Sequence, residues 1–490
     1  MSDDPKTRSS DRSGRLALLQ INDTHGYLEP HPELVWDYEG ATFSTMGGFA
    51  RIKTVFEAVR AEAAGAVLAF DNGDTFHGTH AAVSSKGRAL VPVLNALGLS
   101  AMTAHWDFAW GPDHVKELAG ALHYPVLAAN CWQKDEDSHP FQCTLMCEAG
   151  GLRVGVIGLA ATILDKTMPP NFAAGLRFTD GIDETRAEAA SLRAEGADLI
   201  VVLSHLGYPQ DICLAESVSG LDVIISGHTH NRLEVPTEAN GALIIQSGCH
   251  GSFVGRLDIE VQQGRIERFQ HRLIPVDDSI EPDAATQVLV DRAMQASRAM
   301  QQIVVGQTAI ALHRCTSLDS PMDDLLLAAI ADAAGTAIAF SNGWRYGAPI
   351  RPGPITLHDL WNMIPTNPPV SVVDMSGAEI WEMIEKNLEN TFSVEPFGQR
   401  GGYAKRFRGL TVNAKLENPK GRRVEAIFDT QGKISAAQIY PVAFVTAQGV
   451  PAHMGRNRCD LEILAIDALR AWLADPSHDA RSGRGQLRIT

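Results

Sequence analysis

The chain has no run of about 18 or more apolar residues, the length a helix needs to span a bilayer, so no membrane helix is expected. It has only seven cysteines in 490 residues, and no two form a Cys-x-x-Cys pair. An odd, scattered set argues against a disulfide framework and against a zinc ribbon. A reducing, cytoplasmic compartment fits that usage. The N-terminal MSDDPKTRSSDRSGR has no apolar stretch after its charges, so a polar tail is expected there, not a secretory signal. Positive charge is in deficit, with 42 basic against 58 acidic residues and a net charge of −16. A protein that binds a nucleic-acid polymer by neutralising phosphates would run the other way. Neither nucleic acid nor a membrane is therefore expected as a partner. The 45% apolar and 20% charged fractions are those of a folded globular chain and exclude a disordered or collagen-like one. The length allows two large domains. It sets no oligomeric state.

The first half alternates short apolar runs with stretches of helical spacing. The runs at 16–21, 66–70, 126–129, 154–159, 199–203 and 223–225 are bounded by Gly, Asn, Asp or Ser and predict buried strands. The segments 49–64, 87–97, 113–122 and 182–195 predict helices. Such alternation implies a layered α/β domain. A hairpin is expected from 242–246 and 252–261. The acidic stretch 277–283 reads as a linker, followed by a helix over 284–302. Beyond residue 305 the texture changes. A helix at 322–334, a long charged and Gly-rich loop at 393–409 and a helix at 461–474 predict a second domain.

Histidine is plentiful, with 17 in the chain, and several sit where apolar runs end. The run 16–21 leads into Asn22-Asp23-Thr24-His25-Gly26. The run 66–70 leads into Asp71-Asn72-Gly73-Asp74. The run 199–203 leads into Ser204-His205, and 223–225 leads through Gly227 into His228-Thr229-His230. In open α/β sheets, ligands collect at the carboxyl ends of the strands. Clusters separated by two hundred positions can therefore meet at one edge. Carboxylates neutralise hard divalent charge and imidazoles suit Zn, Fe, Mn or Ni. Two ions about 3.5–4 Å apart clamp the attacking and leaving oxygens of an in-line displacement. Asp23, His25, Asp74, His205, His228 and His230 supply six ligands, with Asp74 the natural bridge.

The order INDTHG, DNGD, SH and SGHTH resembles the calcineurin-like metallophosphoesterases, and the 5′-nucleotidase branch in particular. MGGFARI (46–52), GLRVGVIGLA (151–160), SNGWRYGAPIRPGPIT (341–356) and RGGYAKRFRGLTV (400–412) extend the resemblance over about 15–490. It implies a tail at 1–14, a four-layer α/β/β/α metallophosphoesterase domain at 15–276, a linker helix at 277–304 and a smaller α/β 5′-nucleotidase-type domain at 305–490. It implies two divalent ions, manganese first, with zinc or iron able to use the same ligands.

One motif departs from the pattern. The family's Gly-Asn-His-Glu supplies a metal-binding Asn and a general-acid His. Here the stretch is Thr103-Ala104-His105-Trp106-Asp107-Phe108. Aligned on the acidic residue and the Phe, His105 takes the metal-ligand place and Trp106 the acid's place. This is similar to the His-Trp-Glu-Phe pattern of the bacterial sulfur-oxidation thiosulfohydrolases, a branch that removes sulfate from a sulfonated thiol. The resemblance then implies Asp23, His25, Asp74 and His230 at one metal and Asp74, His105, His205 and His228 at the other. Arg345 and Asp107 are the candidate catalytic residues. Arg345, Trp344 and Tyr403 are the candidate substrate-binding residues. Arg345 is chosen because a planar guanidinium suits phosphate and sulfate alike. The charged group Arg400, Lys405, Arg406 and Arg408 is either an anion-attracting patch or a solvated loop. His77 is expected at the site rim and His250 in a turn. The implied function is hydrolysis of a sulfate (S-sulfo thiol) or phosphate ester by metal-bound hydroxide, acting on a small anionic substrate. The alternatives are a 5′-nucleotidase of nucleotide catabolism and a non-catalytic binding protein.

Overall fold

The structure is a computed structural model that describes residues 12–490, so most of the tail expected at 1–14 lies outside the described residues. The chain forms two compact units. The first runs up to His31 and includes Ser44–His77 and Ala81–Gln295. The second comprises Pro32–Phe43, Gly78–His80 and Ala296–Thr490. Among the described residues no helix is long and apolar enough to cross a membrane.

The first unit has two stacked sheets. One runs Arg265–Pro275, Phe253–Gln262, Gly14–Ile21, Val67–Asp71, Ala101–Met102, the last three parallel. The other runs Thr237–Ala239, Ala242–Ile245, Val223–Ile225, Leu199–Ser204, Leu152–Leu159, Thr144–Ala149, with its four central strands parallel. Both faces of these strands are buried, which is why they read as continuous apolar runs. Side chains alternate across each strand. Leu16 and Leu18 join Leu68, Phe70, Val201, Leu203, Val223 and Ile225 in the core between the sheets. Ala17, Leu19 and Ile21 point the other way, onto Phe49, Ile52 and Phe56 of the helix Phe49–Glu62. The helices Ile182–Ala194 and Tyr208–Ser217 pack on the second sheet. The result is the expected four-layer α/β/β/α arrangement.

Several expectations change. Residues 126–129 form only isolated bridges, from Val126 to Met102 and from Leu127 to Gln142. The segments 242–246 and 252–261 are not a hairpin. Ala242–Ile245 lies in the second sheet, whereas Phe253–Gln262 pairs with Gly14–Ile21 in the first. The turn through Gly248, Cys249, His250 and Gly251 carries the chain between the sheets. The helix expected at 284–302 is broken into Ala284–Met294 and Arg298–Gln301.

In the second unit a five-stranded sheet runs Arg406–Arg408, Ile338–Ser341, Ile439–Phe444, Pro369–Ser376, Arg456–Leu464. The helix Pro321–Ala334 packs against it. Ser320 starts that helix by accepting from the Asp323 N–H, with Pro321 preset for the first turn. The helix Gly377–Phe392 opens on a capping box between Ser376 and Glu379. The helix expected at 461–474 begins only at Ala465; residues up to Leu464 belong to the strand.

Of the charged group expected as an anion-attracting patch or a solvated loop, Lys405 and Arg406 are buried. Arg406 is buried, donating to the carbonyls of Thr316 and Ser317 with Asp323 3.6 Å away. Lys405 is buried too, and its Nζ donates to the carbonyls of Gln448 (2.7 Å) and Gly449 (2.9 Å). Burial pushes the Lys405 ammonium down from 10.5 to about 7. A folded-state value below the unfolded one means the folded chain gives up this proton more readily. Stability therefore rises as pH climbs from about 7 toward 10.5, by up to about 1.4 kcal/mol per pH unit. Lys405→Met is expected to flatten that rise between pH 7 and pH 9 in denaturant unfolding. An identical pH slope in both proteins would contradict this.

Candidate metal centre

The parallel strands of both sheets end on the same side of the first unit, and each delivers polar residues there. Gly14–Ile21 leads to Asp23 and His25, Val67–Asp71 to Asp74, and Ala101–Met102 to His105. Leu199–Ser204 leads to His205 and Val223–Ile225 to His228 and His230. Asn72 ties the sheets together at this edge. Its Nδ2 donates to the carbonyls of Ser204 (2.8 Å) and Ile225 (2.6 Å), and its Oδ1 accepts from Gln20 Nε2 (2.9 Å). Asp23, His25, Asp74, His228 and His230 all have positive φ, between 48° and 74°. Non-glycine residues rarely occupy that region, and such strain collects at functional sites. Five of the seven expected ligands are held this way.

The seven residues converge in two groups that share Asp74. One is Asp74, His105, His205 and His228; the other is Asp23, His25, Asp74 and His230. Within each group the donor atoms lie within 4.8 Å of one another. His105 Nδ1 is 3.1 Å from Asp74 Oδ1, and His205 Nε2 is 3.4 Å from Asp74 Oδ2. His230 Nε2 is 3.2 Å from Asp23 Oδ1 and 3.3 Å from His25 Nε2. This is the division that the resemblance implies.

The donor set fits a pair of divalent cations. His205 Nδ1 donates to the Asn72 carbonyl (2.6 Å) and His25 Nδ1 to the His77 carbonyl (3.3 Å). With the proton on Nδ1 held by a carbonyl, each Nε2 is the nitrogen aimed at the carboxylates and would be the one offered to a metal, as an outer hydrogen bond does for a metal-binding imidazole. His105 Nε2 is buried and has no hydrogen-bond partner. Burial would raise the Asp74 carboxyl, but His105 and His205 beside it hold it well below the usual range. Burial likewise opposes charge on His205, yet Asp74 and Asp23 raise its imidazole to about 10. A field that strong toward a proton is equally a field toward a metal cation.

Two further groups shape the loop. Asp107, expected among the catalytic residues, is fully buried and has its oxygens committed to backbone. It accepts from the N–H groups of Asp74 (3.0 Å), Thr75 (3.0 Å), Phe76 (2.9 Å) and His105 (3.0 Å). It positions the Asp74 and His105 loops and offers no proton or lone pair to a substrate. Asp107→Ala strands those N–H groups. It is expected to cost at least about 1–3 kcal/mol and to weaken metal retention, read as a lower melting temperature and a lower metal content. Wild-type values for both would contradict the clamp.

Trp106 donates its backbone N–H to Asp74 Oδ1 (2.7 Å). Its indole stacks on His77, centroids 4.6 Å apart, and meets the edge of Phe172 at 5.6 Å. His77 is not at a rim: it is fully buried against the indole. His250 is buried near the second group, its ring 6.0 Å from that of His25 and 4.7 Å from that of Tyr27, and its backbone N–H donates to the Asp23 carbonyl.

Within the second unit, Arg345 and Tyr403 are adjacent. The Arg345 guanidinium lies 5.2 Å from the Tyr403 ring centroid and donates to the Gly402 carbonyl (3.0 Å). Arg406 approaches the same ring at 5.7 Å. Trp344 is buried, donates to Gln448 (3.2 Å) and has Arg314 over its face. Sequence reasoning missed Asn72, Gln20 and the clamp role of Asp107. Gln20 leaves a signal, as the one polar residue inside LALLQI.

A buried carboxylate–imidazole centre at the strand ends of a four-layer sandwich, followed by a mixed α/β unit, defines a class: an α/β protein with a candidate two-metal site. Comparison with known proteins makes the assignment particular. Residues 16–232 match the calcineurin-like phosphoesterase family and residues 298–446 match the 5′-nucleotidase C-terminal domain family. The chain thus carries a match to the calcineurin-like phosphoesterases in its first part and to the 5′-nucleotidase C-terminal domain in its second. It is 26% identical over 461 residues to the trifunctional nucleotide phosphoesterase YfkN of Bacillus subtilis, covering 84% of this chain and 30% of that protein. It thus spans about a third of the length of this relative. Among solved structures, the sulfate thiohydrolase SoxB of Thermus thermophilus superposes with a TM-score of 0.87 at 22% identity, over 100% of this chain and 97% of the other. A 5′-nucleotidase precursor, also of Thermus thermophilus, superposes with 0.83 at 24% identity, over 97% and 100%. At these identities the likeness is one of fold.

Proposed function

We propose that the chain hydrolyses S-sulfonated thiols, releasing sulfate and a thiol, at a dinuclear centre. Asp23, His25, Asp74 and His230 would hold one ion, and Asp74, His105, His205 and His228 the other. Manganese is the first choice and zinc or iron the next. The ions would supply Lewis-acid polarisation of water and of the sulfonyl oxygens. The chain's own part is to hold the ligand atoms still. Asp107 and Asn72 fix the loops, and the His205 and His25 Nδ1 bonds aim the imidazoles. Arg345 is kept as the anion-holding residue of the second unit.

The observation that carries the substrate class is Trp106. The indole is packed between His77 and Phe172 where a phosphomonoesterase of this family uses a general acid. An indole supplies no proton at neutral pH. An alkoxide leaving group benefits from such a proton by about 10²–10⁴-fold. A thiolate, whose parent thiol has a pKa of about 8.5, departs without it. The Tyr403 ring, flanked by Arg345 and Arg406, also supports a small anion over a stacked nucleobase.

Nucleoside monophosphate hydrolysis is the second reading, favoured by the relatives named as nucleotide phosphoesterase and 5′-nucleotidase. The test is release of sulfate and phosphate by the metal-loaded protein from S-sulfocysteine, S-sulfoglutathione and AMP. The S-sulfonates are expected to have the higher kcat/KM by about 10² or more, the low end of a general acid's worth. Equal or faster hydrolysis of AMP would overturn the thiol reading in favour of the nucleotidase.

A further inference from the structure

The loop 226–231 carries two of the seven ligands, and both are strained. His228 belongs to one ligand group and His230 to the other. Their φ values are 74° and 60°. A backbone in that region persists only where its surroundings force it. Here the surroundings converge on one amide outside the ligand set. Gln246 follows the strand Ala242–Ile245 and is fully buried. Its Nε2 donates to Ser226 Oγ (2.8 Å) and to the Gly227 carbonyl (2.8 Å). Its Oε1 accepts from Thr229 Oγ1 (3.2 Å) and from the Asn231 backbone N–H. A primary amide has two donor hydrogens and two acceptor lone pairs. All four go to this one loop, before, between and after the two histidines.

Two more ligands depend on the loop so held. The His228 backbone N–H donates to the Asp23 carboxylate, 2.9 Å from Oδ2 and 3.2 Å from Oδ1. The Thr229 hydroxyl, while donating to Gln246, accepts from the Tyr208 N–H (3.1 Å). Tyr208 opens the helix Tyr208–Ser217, just after His205. Gly227 leaves the loop no room to slide, because a Cβ there would lie 2.9 Å from the Asn72 Cβ and 3.3 Å from His205 Nδ1.

We infer that Gln246 is a positioning residue for both ions at once. It acts through the backbone of 226–231, which sets His228 and His230 directly and bears on Asp23 and His205. The inference rests on the two-metal reading of the centre and is indifferent to whether the ester is one of sulfate or of phosphate.

Gln246→Met keeps the length of the side chain and removes all four hydrogen bonds. Outer hydrogen bonds around a metal site are worth about 10–100-fold in affinity. Titration of the full chain with manganese is therefore expected to show both ions bound at least about tenfold more weakly. In the metal-free protein, hydrogen exchange over 226–231 is expected to quicken while Leu152–Leu159 stays protected. The control Leu257→Ala, in the core between the sheets, lowers the thermal midpoint and should leave manganese affinity near that of the wild type. Thr229→Val keeps the shape of the residue and removes one of the four partners. It is expected to move affinity the same way by about threefold, one hydrogen bond's worth, and it decides the matter if Gln246→Met does not fold. Wild-type affinity and exchange in these variants overturn the inference. So does an equal loss of affinity in Leu257→Ala, which would make the effect one of stability alone. Weakening of one ion with the other unchanged overturns the joint role. A wild type that takes up no manganese overturns the centre itself, and this inference with it.

Discussion

Asp74→Asn is expected to reduce hydrolysis by at least about 10²–10³-fold, the cost of removing one preorganised charge-stabilising group, while leaving the fold intact. Asp74 is the one residue common to both ligand groups. An asparagine keeps the volume, and its Oδ1 can still accept the Trp106 N–H. The lost property is the negative charge that His105 and His205 face at 3.1 and 3.4 Å. An amide also brings two donors where imidazole lone pairs converge. Both metals should therefore be weakened together, unlike in His105→Ala or His25→Ala, each of which touches one group. The readout is kcat/KM with metal content, against a thermal midpoint close to wild type. Retention of activity within about threefold would remove Asp74 from the centre.

Trp106→His carries the second large effect. On the proposed reading, it returns an imidazole to the place of a general acid. It is expected to raise phosphomonoester hydrolysis by about 10²-fold, the low end of what such an acid contributes, with little gain on S-sulfonated thiols. The substitution also empties the space between His77 and Phe172. Trp106→Phe isolates that packing change, since it keeps a ring and offers no proton. A rise in AMP hydrolysis with histidine but not phenylalanine supports the account. If both variants lower both activities equally, Trp106 acts by packing alone and the leaving-group argument falls.

The ligand clusters were legible because each is local. A short apolar run followed within four residues by Asp or His is a strand end with something to hold, and parallel strands bring such ends together. What orients those ligands was not legible. Asn72 reaches Ser204 and Ile225 across more than 130 positions, and Asp107 gathers N–H groups from a loop thirty residues earlier. Both stand inside motifs the sequence shows, but a motif does not say which distant backbone groups a side chain will bind. The two halves of the expected hairpin at 242–261 have strand texture, but texture does not say which sheet a strand joins. Residues 461–464 follow the same logic: LEIL suits a helix or a strand, and pairing along Pro369–Ser376 decides for the strand. Lys405 and Arg406 read as an anion-attracting patch or a solvated loop, and not as buried, because their partners, Gln448 and Asp323, lie far away in sequence.

The central claim is that seven side chains from five strand ends form one two-metal centre. The most direct measurement is elemental analysis of the full chain after loading with manganese and removal of unbound ion. Two equivalents per chain are expected for the wild type, and fewer than one for Asp74→Asn, with the variant still folded. One equivalent or none in the wild type, or an unchanged two in the variant, would contradict the account.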